Sequence, residues 1–60
     1  MKSLALAELE AVYDALAEAI NQAGMEKEVL FLTKLALLMA NEIGSQEKVE
    51  ELLKVALADL

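Results

Sequence analysis

Along the first third of the chain Leu9, Val12, Tyr13, Leu16 and Ile20 recur at intervals of three and four, with Glu10, Asp14, Glu18 and Asn21 opposite them. That spacing returns side chains to one face of a 3.6-residue turn and predicts an amphipathic helix. Ala15 and Ala19 flank its stripe and leave room for a second helix to approach. In the last third Val49, Leu52, Leu53, Ala56, Leu57 and Leu60 mark another continuous stripe, with Val55 alone on the polar side. Between them the pattern changes. The apolar residues Val29, Phe31, Leu32, Leu35, Ala36, Leu38, Met39, Ala40 and Ile43 sweep an arc of about 200° at 100° per residue. Leu30 and Leu37 interrupt even the remaining strip of Lys27, Thr33, Lys34 and Asn41.

Gly24 and Gly44 are the only glycines, and the chain has no proline. Glycine just past a helix end is a common stop because it takes positive φ without a Cβ penalty. The pattern therefore predicts three helices, at about 4–22, 26–43 and 46–59, in one domain over residues 1–60. Ser3 and Ser45 are the expected N-caps, each hydroxyl accepting from an orphan N–H of the first turn. Glu47 suits the positive end of the last helix dipole, and Glu50 with Lys54 is a favourably oriented pair four apart. Two-residue connections at the glycines imply antiparallel neighbours. The expected fold is all-α, a small up-down-up three-helix bundle whose middle helix touches both others.

Length turns this pattern into a statement about association. A 60-residue chain buries only about 60% of the surface its unfolded form exposes, and chains of this size are commonly reinforced by disulfides, a metal or a partner. Cysteine and histidine are both absent, which excludes a disulfide and disfavours a metal. Apolar residues make up 58% of the chain, above the ~45–50% of an ordinary soluble domain. The expectation is a homo-oligomer, at simplest a homodimer in which the middle helices meet through Leu30, Phe31 and Leu37.

Charge and residue types remove several functions. Eleven carboxylates against five lysines give a net charge of −6. No basic patch is present to bind a phosphate backbone or an anionic membrane. No apolar run reaches the ~20 residues that span a bilayer, and Glu8 and Glu10 do not suit a signal peptide. The expected location is cytoplasmic. Histidine- or thiol-based catalysis has no residues to work with, so no catalytic residue, cofactor or metal ligand is assigned. Lys34, on the less apolar side of its helix, reads as a side chain that reaches water.

Two features invite a functional reading. Glu10, Asp14 and Glu18, four apart, form a carboxylate ladder that is either a solvated face or a docking surface for a basic partner. A di-iron reading would need Glu-x-x-His motifs that the chain lacks. Glu42 is the outlier. It falls in the last turn of the middle helix, where the dipole opposes an anion, and on the wheel it lies beside Phe31 and Leu35. Such a local inconsistency marks either a specific contact or a helix end projecting past the core. Asn41 beside it suits capping of the terminal carbonyls.

The run "LALLMANEIGS", preceded by "VYDAL" and followed by a leucine-rich last helix, resembles a small family of uncharacterised bacterial proteins. In that family a central helix ends in Leu-Leu-Ala-Asn-His-Ile-Gly-Asp and a short final helix follows. The resemblance runs from Val12 to Leu57 and is carried by Ala40, Asn41, Ile43, Gly44 and the leucines before them. Glu42 stands where the family has histidine, which removes any imidazole role, and Ser45 where it has aspartate, which keeps a helix cap. The family has no assigned activity, and the resemblance implies an accessory role beside a larger enzyme, such as those oxidising aromatic compounds.

The leading expectation is thus a small interaction or accessory module that self-associates through its central helix. The alternative is a binder of a small apolar ligand, with Met25, Phe31 and Met39 lining a pocket between helices. An acyl carrier is disfavoured because Ser45 sits in Gly-Ser-Gln instead of Asp-Ser-Leu. A designed bundle is disfavoured by the irregular Asn41, Glu42 and methionines.

Overall fold

The computed structural model describes residues 3–60, and the chain is all-α: α1 Leu6–Ala23, α2 Glu28–Ile43 and α3 Gln46–Ala58. Both glycines take positive φ, as helix stops at these places require. Gly44 adopts the left-handed conformation at φ 72°, ψ 19°, and its N–H donates to the Ala40 carbonyl at 3.0 Å. The Asn41 amide is not needed for that bond. Gly24 differs, with φ 81° and ψ 161°, a region open essentially to glycine alone.

The first turn of α1 departs from expectation. The helix begins at Leu6, and its N-cap is Ala5, not Ser3. Ala5 has no side-chain acceptor to offer. Instead the Glu8 carboxylate reaches back and accepts from the Ala5 N–H at 3.1 Å, which is one half of a capping box. The first connection is also longer than two residues. Gly24 to Lys27 form a turn in which the Lys27 N–H donates to the Gly24 carbonyl at 3.1 Å, so α2 starts at Glu28 and not at 26. At the second connection Ser45 caps α3 as its sequence suggests, Oγ accepting from the Lys48 N–H at 3.2 Å. The side-chain pairs along α3 are Gln46 Nε2 donating to Glu50 Oε2 at 2.9 Å and Lys48 Nζ with Glu51 Oε2 at 3.4 Å. Glu50 is thus engaged by Gln46, in place of the expected bond to Lys54.

The central position of α2 holds: it packs against α1 on one side and α3 on the other, while α1 and α3 do not touch. The bundle is open. Three antiparallel helices at the usual 8–10 Å spacing would measure about 15 Å across, whereas the Cα trace extends 31 × 26 × 23 Å. Its radius of gyration is 12.7 Å, against roughly 10 Å for a compact chain of this length. The helices meet at the corners and diverge from there. Leu16, Ala19, Ile20 and Ala23 at the end of α1, Phe31 and Leu35 in α2, and Val49 early in α3 are half-buried.

Candidate self-association surface

No described residue is fully buried. The stripe of α1 shows why. Its C-terminal half is covered by α2 at the corner, whereas Leu6, Leu9, Val12 and Tyr13 along the other half are exposed. The same holds on α3, where Val49 is half-buried near the turn and Leu52, Leu53 and Leu57 beyond it are exposed.

The expected self-association residues divide between two environments. Leu30 and Leu37, 58% and 67% exposed, are seven apart in α2 and so project in nearly the same direction. Phe31 is half-buried at the corner of α1 and α2, where it lines a shallow groove with Ala23, Lys27, Leu30 and Lys34. On the other flank of α2 an open groove of about 340 Å³ runs between α2 and α3, floored by Ala36, Met39, Ala40, Ile43, Val49, Leu52, Leu53 and Ala56. Pattern reading did not mark this groove as a site. Its signal was the alternation of alanine with larger apolar residues on facing stripes, which leaves a channel unless a third element fills it.

Met25, Phe31 and Met39 are not gathered into one pocket. Phe31 and Met39 line different grooves, and Met25 stands 90% exposed in the first turn. Glu10, Asp14 and Glu18 are exposed along one side of α1. Among the described residues no three acidic side chains converge where a metal ion could be held. Glu42 is exposed and lines a surface depression with Ile43, Ser45 and Lys48 where α2 turns into α3. Its neighbour Ile43 is half-buried at the same corner, whereas the Glu42 side chain is exposed.

The area involved is large. The chain exposes 5676 Å², whereas a compact folded monomer of 6.5 kDa exposes roughly 3,800 Å². The excess is about 1,900 Å² per chain. Among the described residues no helix is long and apolar enough to cross a membrane. The chain matches no protein-family model, no curated protein and no solved structure.

Proposed function

We propose that this protein is a small helical interaction module that self-associates through α2 and serves as an accessory subunit beside a larger enzyme. The observation that carries the reading is the uncovered apolar surface. An excess of about 1,900 Å² per chain, polar and apolar surface together, would correspond to roughly 3,800 Å² buried in a dimer, within the 2,000–5,000 Å² of obligate homodimers. Monomers rarely leave contiguous apolar patches of more than a few hundred Å². Leu30 and Leu37 supply the seam, being apolar, exposed and on one side of α2. The ladder of Glu10, Asp14 and Glu18 lies on the opposite side of α1 from its apolar stripe and suits a basic surface on the larger partner. The test is sedimentation equilibrium of the purified chain over a hundredfold concentration range. A dimer or larger closed oligomer is expected, and a monomer persisting at the highest concentration overturns the proposal.

A further inference from the structure

We infer that the shallow groove at the α1–α2 corner binds a small aliphatic carboxylate, its head held by Lys27 and Lys34 and its chain laid on Ala23, Leu30 and Phe31. Unlike the groove between α2 and α3, this one is lined by charge of a single sign.

The lysines lead to it. Eleven carboxylates stand against five lysines in the chain, so acidic partners are plentiful. On a helix such a partner sits three or four positions away. In α3 that arrangement is present: Lys48 pairs with Glu51 at 3.4 Å, and Lys54 has Glu50 and Glu51 at those intervals. On α2 it is missing. Leu30 and Phe31 follow Lys27 by three and four, and Leu30, Phe31, Leu37 and Leu38 surround Lys34 at the same intervals. Among the described residues the one ion pair is Lys48 with Glu51, so neither Lys27 nor Lys34 has a carboxylate partner. Glu28 follows Lys27 directly but stands about 100° round the helix from it, and no carboxylate lines the groove.

The floor fixes the rest of the ligand. Leu30 and Phe31 each lie three or four residues from both lysines and so share their side of α2. Ala23, at the end of α1, completes the lining, and its lone methyl group leaves that wall low. Phe31 and Ala23 are half-buried. The space is about 240 Å³, below the ~300–1,000 Å³ of sites for drug-sized ligands, which suits a short chain. A lysine lays its stem along apolar surface and keeps its ammonium in water. The anionic head is therefore met at the rim, where a charge-assisted hydrogen bond forms without full desolvation. A cationic rim over an apolar floor is complementary to an anion that carries an apolar tail.

The test is an NMR titration of the full chain with sodium octanoate at 0.15 M salt, where screening over ~8 Å limits repulsion from the rest of the acidic surface. Phe31 is the only phenylalanine, so its ring protons report on the groove without ambiguity. Saturable shifts of that ring are expected, and octanamide, the neutral analogue, should bind roughly tenfold more weakly. Lys27→Gln and Lys34→Gln should each weaken octanoate roughly threefold and together about tenfold, whereas Lys54→Gln in α3 should change nothing. Equal affinity for octanoate and octanamide, or an unchanged affinity in the double variant, would overturn the carboxylate site. Shifts confined to the groove between α2 and α3 would overturn it as well. Leu30 also belongs to the proposed seam, so sedimentation of the same samples should show the dimer fraction falling as octanoate binds. A chain that binds octanoate but is monomeric throughout would overturn self-association and leave the carboxylate site standing; a dimer whose Phe31 ring does not shift would do the reverse.

Discussion

Replacing Leu37 by alanine separates association from folding. In the single chain Leu37 is 67% exposed, and alanine is the better helix former, so the substitution removes little from α2 itself. Leucine exceeds alanine by three carbons, worth about 2.4 kcal/mol if fully transferred from water at ~0.8 kcal/mol each. Two-thirds of that side chain remains to be covered on association, which gives about 1.6 kcal/mol per copy and about 3 kcal/mol for a symmetric dimer. The dimer dissociation constant should rise roughly 200-fold. Val55 provides a matched control: it is 66% exposed, but it falls on the polar side of α3, and Val55→Ala should change the constant less than twofold. Sedimentation equilibrium on the three proteins, with helicity followed by circular dichroism, measures both effects. The reasoning fails if Leu37→Ala shifts the constant less than about tenfold, or if Val55→Ala shifts it as much.

Other substitutions probe the local structure. Ser45→Ala removes the hydroxyl that accepts from the Lys48 N–H at 3.2 Å and should cost about 1 kcal/mol by urea denaturation at fixed protein concentration, with Ser45→Asp recovering most of it. Ala5→Ser adds the missing half of the capping box, opposite the bond from the Ala5 N–H to Glu8, and should stabilise the protein by about 0.5–1 kcal/mol. A Cβ at either glycine meets nothing within 4 Å, so Gly24→Ala and Gly44→Ala report backbone strain alone. Both should destabilise, by about 1–3 kcal/mol at Gly24 and 1–2 kcal/mol at Gly44, and equal denaturation midpoints would contradict the difference in ψ between the two corners.

The three helices and both stops are legible in the sequence because period and glycine position agree. The ends are less so. Ser3 is a good capping residue by type, yet the backbone is still extended at Ala5, and the usable signal was Glu8, three residues further on. Met25 and Glu26 have ordinary helix propensity, so periodicity alone carries α2 back into what is a turn closed at Gly24. The breadth of the apolar arc on α2 correctly implies that it touches two helices. How far those helices splay depends on backbone angles at the corners, and composition does not encode them. The same limit hid the α2–α3 groove: Ala36, Ala40 and Ala56 read as ordinary members of the apolar arc and stripe, and only the open angle leaves them as a floor. Leu30 and Leu37 stand out from the pattern alone because they interrupt a polar strip, whereas Phe31 shares its side of α2 with a corner that α1 half covers.

The corner-bound packing has a consequence for how fast the protein forms. Contacts between helices join residues close to one another along the chain, and almost no approach spans a long separation. Little loop-closure entropy is spent before they form, and chains rich in such local contacts fold in microseconds to milliseconds. The absence of proline removes the isomerisation that slows many refolding reactions by tens of seconds. Each corner should therefore assemble almost as quickly as its helices, and on the proposed self-association the step left to be slow is the encounter of two chains. Refolding after a denaturant jump should then show a rate that scales with protein concentration, so abundance in the cell would set the time to maturity.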